Sequence, residues 1–143
     1  MFMGTYQNTL DTKNRMIVPA KFRDELGFKC VLTIGIDKCL YIYPINEWDV
    51  FVEKLSKLPT TDPKARRFAR NFTGNAEECE IDRQGRMTIP QKLRDRVNIT
   101  KELTTIGCMS KIEIWSREEY ESVENDAQMD GNDIAEGMDV YGI

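Results

Sequence analysis

There is no histidine in this sequence of 143 residues. The side chain that most often serves as a general base is therefore missing. The four cysteines, Cys30, Cys39, Cys79 and Cys108, are scattered, and no Cys-x-x-Cys occurs. That spacing argues against a zinc site. Three of the four lie within or beside apolar runs, which reads as buried packing rather than disulfide or redox chemistry. Neither a Gly-x-Gly-x-x-Gly turn nor a Walker-type phosphate loop is present. No apolar run approaches the roughly 18 residues that span a bilayer. The opening "MFMGTYQNTLD" lacks the basic flank and long apolar segment of a secretory signal. The expectation is a cytoplasmic protein with no metal, no cofactor, no membrane partner and no enzymatic activity.

Positive charge is missing from the end of the chain. All 20 Lys and Arg lie at or before Arg117, and nine acids follow with no base. The net charge of −4 therefore hides a mildly basic body and an acidic tail. A hydrophobic fraction of 41% and a charged fraction of 31% are those of a soluble globular domain.

What the sequence does have is a repeat. "RMIVPAKFRDEL" begins at Arg15, and "RMTIPQKLRDRV" begins at Arg86. With Asp11 set on Asp82, Arg15 falls on Arg86, Met16 on Met87, Pro19 on Pro90, Lys21 on Lys92, Arg23 on Arg94 and Asp24 on Asp95. After a one-residue slip, Gly35 meets Gly107, Ile42 meets Ile114, and Tyr43 and Trp48 meet Trp115 and Tyr120. Two copies are too few for a solenoid. Each copy reads as strand, turn, strand, short helix, strand, strand. Asn14 and Gly85 share the turn position that tolerates positive φ. Pro19 and Pro90 suit the first turn of a helix, and Gly27 suits the end of "AKFRDEL".

Beyond the repeat, "INEWDVFVEKLSKL" places Trp48, Phe51, Val52, Leu55 and Leu58 at helical spacing. "DPKARRFARNF" reads as a helix opened by Asp62 and Pro63, and Ser116 with Glu119 fits a capping box. The expected organisation is a first unit over 5–47, a helical linker over 48–75, a second unit over 76–119 and a tail over 120–143. The tail is acidic and expected to be partly disordered. One unit of about 45 residues is too small to bury a good core alone. The two copies should therefore interlock about a pseudo-twofold axis, with strands crossing between them, or else each should find a copy in another chain.

Two readings of the shared Asp-x-x-x-Arg stand side by side. Asp11 and Asp82 can close an Asx turn and pair with Arg15 and Arg86. The same geometry presents two basic hairpins, with Lys13 and Arg83 inside the turns. A hairpin is narrow enough for a major groove, where Arg can grip guanine O6 and N7 in a fork. Lys21, Arg23, Lys92 and Arg94 on the short helices are either solvated faces or phosphate contacts that hold register. Arg66, Arg67 and Arg70 carry the same ambiguity. Glu77, Glu78, Glu80 and Asp82 form an acidic run, most of it expected to face solvent.

The segments "MFMGTYQNTLDTKNRMIVPAKFR", "CLYIYPINEW", "ARRFARNFTGNAEECEIDRQGRMTIPQKLR" and "IEIWSREEYE", taken in order, resemble the MraZ family of bacterial transcriptional regulators. The resemblance spans roughly residues 1 to 120. It implies a mixed β fold with short helices: two tandem AbrB-like swapped-hairpin β-barrel units related by pseudo-twofold symmetry, plus flanking helices. It further implies a homo-oligomeric ring that binds double-stranded promoter DNA at short direct repeats. Such a protein would be a nucleoid-associated repressor of its own promoter and of the division and cell-wall gene cluster. Carried onto this sequence, the DNA-facing residues are Lys13, Arg15, Arg83 and Arg86, supported by Asp11, Asn14, Asp82 and Gly85. Asn14 departs from the glycine usual there, and is the next-best residue for positive φ. The competing expectation is an interaction protein that does not act on DNA: a toxin-neutralising partner or a ring scaffold.

Overall fold

A computed structural model describes residues 1–126 and 128–143. The first copy of the repeat forms β1 (Phe2–Thr9), β2 (Arg15–Ile17), α1 (Ala20–Leu26), β3 (Lys29–Ile34) and β4 (Leu40–Pro44). Two helices follow, α2 (Ile45–Ser56) and α3 (Pro63–Gly74). The second copy forms β5 (Glu77–Glu80), β6 (Arg86–Thr88), α4 (Gln91–Arg96), β7 (Glu102–Met109) and β8 (Lys111–Ser116). Helix α5 (Arg117–Glu124) closes it. Within the tail expected to be partly disordered lie α6 (Gly131–Ala135) and a 3-10 turn (Met138–Tyr141), and neither buries a residue.

Two local signals act as expected and two are displaced. The Asp62 side chain accepts from the Lys64 N–H at 3.0 Å, satisfying a free donor at the start of α3. Gly27 follows α1 at φ 71°, a conformation that costs glycine nothing. Pro19 and Pro90 stand at the N-cap, one residue ahead of the expected first turn. The capping box at α5 is half formed. Ser116 Oγ accepts from the Glu119 N–H at 3.4 Å, but the Glu119 carboxylate accepts from Asn98 Nδ2 at 2.9 Å instead of turning back.

The two copies are woven together. A six-stranded sheet runs β1-β7-β8-β4-β3-β5, every pairing antiparallel, and β2 pairs with β6 in a separate ribbon. Exchanging each strand with its counterpart in the other copy returns the same order read backwards. The registers locate the axis of that exchange. Met16 lies opposite its own equivalent, Met87, and Tyr41 lies opposite its own equivalent, Glu113. The pseudo-twofold axis therefore passes through the centre of the ribbon and the centre of the sheet. The expected barrels are absent among the described residues: the sheet stays open, with β1 and β5 as its edges.

Burial explains why this weave holds. Strand β4 is buried at all five positions, so both of its faces are covered. Leu40 and Ile42 join Met16, Met87, Leu32, Ile112 and Ile114 in a core between sheet and ribbon, closed by Phe22 of α1 and Leu93 of α4. Cys39, Tyr41 and Tyr43 point the other way and meet Leu55, Phe72 and Trp115 in a second core beneath α2 and α3. Each unit lends about half of the first core, so neither could close it alone. All four cysteines are free thiols, three of them buried. No helix among the described residues is long and apolar enough to cross a membrane.

Candidate nucleic-acid interface

The shared Asp-x-x-x-Arg builds the same turn twice. Asp11 Oδ1 accepts from the Lys13 and Arg15 N–H groups at 2.8 and 3.0 Å, and its Oδ2 accepts from Arg15 Nε at 2.8 Å. Asp82 does the same with Gln84 and Arg86 at 2.9 Å each, and with Arg86 Nε at 2.7 Å. The carboxylate thus closes the turn and fixes the guanidinium through Nε. The Nη edge of each arginine makes no other ion pair among the described residues. Turn closure and alignment of the guanidinium are consequently one device.

The copies also lock each other. Val18 N–H donates to the Gly85 carbonyl at 2.8 Å, and Ile89 N–H donates to the Asn14 carbonyl at 3.1 Å. Asn14 and Gly85 sit at φ 60° and 78°, the left-handed conformation each turn needs. Gly85 has a second constraint. It is buried beneath Arg23, and a Cβ there would run into the Arg23 guanidinium. Arg23 Nε in turn donates to the Val18 carbonyl at 2.8 Å, and Arg94 Nε donates to the Ile89 carbonyl at 2.9 Å.

The structure sorts the expected site residues. Arg15 and Arg86 are half-buried on the outer face of the ribbon, because Met16 and Met87 between them point inward. Lys13 and Arg83 are exposed in the flanking turns, and Lys21 and Lys92 are exposed on α1 and α4. None of these four lies in an ion pair among the described residues. Arg23 and Arg94 are half-buried and tied through Nε to backbone carbonyls, so they brace the turns. Arg66, Arg67 and Arg70 lie on α3, across the sheet from the ribbon. The residues overlooked in the sequence are Ile17 and Thr88. The alternation of a strand puts them on the same outward face as Arg15 and Arg86.

This chain matches the family model described as "MraZ protein, putative antitoxin-like" twice, over residues 1–71 and 72–140. It belongs to the MraZ family. Among its curated relatives, proteins named "Transcriptional regulator MraZ" from Clostridium tetani (strain Massachusetts / E88) and Clostridium acetobutylicum are 52% and 50% identical over 143 residues, covering all of both chains. One of the same name from Caldanaerobacter subterraneus is 46% identical, again over the full length of both. The two matches meet between residues 71 and 72, inside the last turn of α3, so α2 and most of α3 fall in the first. These relatives carry the name of a regulator, not of an enzyme.

The turns of this MraZ-family chain carry a pH signature. The Arg15 N–H, the Arg15 side chain and the Lys13 N–H hold the Asp11 carboxyl below its ordinary value of 3.8. Arg86 and Gln84 do the same for Asp82. A carboxylate depressed in the fold adds stability that is fully present above its unfolded value and lost as pH falls through the folded one. The Lys13 and Gln84 amide proton shifts are therefore expected to titrate with midpoints below 3.8, and Asp11→Asn should remove the Lys13 transition. Midpoints at or above 3.8 would contradict the hydrogen-bonded turn.

Proposed function

We propose that this chain is a transcriptional regulator that binds double-stranded promoter DNA with the outer face of the β2–β6 ribbon and the two turns beside it. The observation that carries this reading is the pair Arg15 and Arg86. They lie on one face of a ribbon two strands wide, about a pseudo-twofold axis, each with Nε held by an aspartate and its Nη edge in no other ion pair among the described residues. A ribbon of that width fits a major groove, and an aligned guanidinium fits guanine O6 and N7. Lys13, Arg83, Lys21 and Lys92 surround it as phosphate contacts that set register. The names of the relatives support the regulatory role.

The finer reading follows the family resemblance. The chain represses its own promoter and the division and cell-wall gene cluster, in the cytoplasm and on the nucleoid, at short direct repeats. The exchange of strands between copies supports an AbrB-like swapped-hairpin origin for the units. Assembly into a ring would let adjacent subunits engage successive boxes, each contact raising the effective concentration for the next. Open sheet edges at β1 and β5, with Phe28, Ile36 and Phe68 exposed, offer surface for such contacts. The acidic tail repels phosphate, so its removal should leave binding equal or somewhat tighter, most visibly at low salt.

An electrophoretic shift with the chain's own upstream DNA tests the reading. The expected result is retention that survives unrelated competitor DNA and weakens steeply between 50 and 200 mM salt, by about a thousandfold or more if six phosphates or more are neutralised. A chain that is folded and does not shift this DNA at low salt would favour the toxin-neutralising or scaffold reading, which the "antitoxin-like" family description keeps in view.

A further inference from the structure

Ile17 is 55% exposed in the middle of the basic face. The first core is complete without it. Met16 and Val18, its neighbours, are both fully buried, so strand alternation sends Ile17 outward by construction. Its place is fixed: the Ile17 carbonyl accepts from Asn8 Nδ2 at 3.1 Å, and the residue lies directly opposite Arg86 across the ribbon. The second copy sets Thr88 at the equivalent position, directly opposite Arg15. Isoleucine and threonine differ in polarity but share one feature. Both are branched at Cβ, with a methyl group there and a stiff χ1. Each arginine on this face therefore stands beside an outward methyl, at the separation of about 5 Å typical of direct cross-strand pairs.

We propose that Ile17 and, at the equivalent place, Thr88 read the 5-methyl group of thymine in the major groove, beside the bases gripped by Arg86 and Arg15. The proposal rests on the DNA-binding reading above and deepens it. Thymine is the one base with an apolar group in the major groove, and apolar contact is how proteins recognise it. The occupant of an apolar side chain set among arginines should itself combine negative charge with a small apolar group. A thymine-bearing duplex does so. At a rise of 3.4 Å per base pair, a 5 Å offset places that thymine within about two base pairs of the base read by the arginine. The pair is also unequal. The larger Ile17 buries more surface than Thr88, so the two halves of a nearly symmetric face favour one orientation on an asymmetric site.

The test uses the full-length protein and its upstream DNA, with each thymine in turn replaced by deoxyuridine, which removes the methyl and leaves O4. Wild type is expected to lose about fourfold in affinity at one or two positions, the value of one buried methyl. Ile17→Ala should lose about as much on unmodified DNA and no longer distinguish the two DNAs at one of those positions. Ile17→Val, which keeps the branch, should retain most of the distinction. Specific binding by wild type with no sensitive thymine would overturn the inference and leave the DNA-binding reading standing. So would a folded Ile17→Ala that keeps every sensitivity, or one whose only change is in oligomer size. Failure of wild type to bind specifically would overturn both.

Discussion

Replacing both Arg15 and Arg86 by alanine is expected to abolish the shift of promoter DNA while leaving the fold in place. Each arginine that reads a base contributes about 1–3 kcal/mol. Even at the lower limit the pair would account for roughly thirtyfold in affinity, since about 1.4 kcal/mol is a factor of ten. Repetition of the loss in every subunit of an assembly multiplies it. The structural cost should be small by comparison. The ion pairs Arg15–Asp11 and Arg86–Asp82 are partly exposed at both ends, and such pairs contribute about 0–1 kcal/mol. Asp11 and Asp82 still accept from the backbone N–H groups of their turns when the guanidinium is gone. Circular dichroism and thermal melting establish that the double variant is folded, and the mobility shift measures the loss. A folded variant that retains promoter DNA like wild type would remove the ribbon face from the binding surface.

Phe72→Ala is expected to give the largest loss of stability, about 3–5 kcal/mol by analogy with buried phenylalanines elsewhere. Phe72 is buried near the end of α3 and is the hinge of the second core. Its ring lies 4.9 Å from Phe51 and 5.0 Å from Phe68, both edge-on, and stacks on Tyr41 at 6.2 Å. Its carbonyl accepts from the buried Thr33 Oγ1 at 2.7 Å, tying the helix to the sheet. Truncation would leave a cavity between α2, α3 and β4 that rigid neighbours cannot fill. Phe68, 41% exposed on the same helix, is the control. Its truncation should cost about 1 kcal/mol or less. Urea unfolding of the two variants checks the order, and a reversal would mean that α3 is held by its outer face. Because this core lies across the sheet from the ribbon, the folded fraction of Phe72→Ala should keep its affinity for DNA.

What could be read from the sequence was local. Asp62 with Pro63 marked α3, Gly27 marked the end of α1, and the positive φ at Asn14 and Gly85 followed from turn chemistry. The repeat itself implied that strands would cross between copies, because one unit cannot enclose a core. Three features were less legible. Which strand meets which depends on contacts such as Thr104 with Gln7, 97 residues apart, and no local pattern encodes that pairing. Glu119 abandons its half of the capping box because Asn98, distant in sequence, offers a better partner. Arg23 resembled a solvent-facing charge until the fold laid it over Gly85, a neighbour supplied by the other copy. Ile17 stands two residues from Arg15 on a short strand, so period two alone sets both on one face.

The weave of the sheet also sets a timetable for the newborn chain. Strand β1 precedes every other strand, yet among the described residues its only sheet partner is β7, in a register that runs from Phe2 opposite Met109 to Thr9 opposite Glu102. At a synthesis rate of about 5–20 residues per second, the first strand waits roughly 5–20 s before its partner has been made. The hairpin of β3 and β4 can pair in the meantime, but β3 still lacks β5, β4 still lacks β8, and the core beneath α2 and α3 still lacks Trp115. Emergence of β5 to β8 then completes the sheet and both cores. Until that moment β1 is an unpaired strand carrying Phe2 and Met3, the kind of exposed edge that pairs with other chains. A nascent chain stalled before Glu102 remains in that state, so a truncated copy of this protein is a hazard to its neighbours rather than a smaller version of itself.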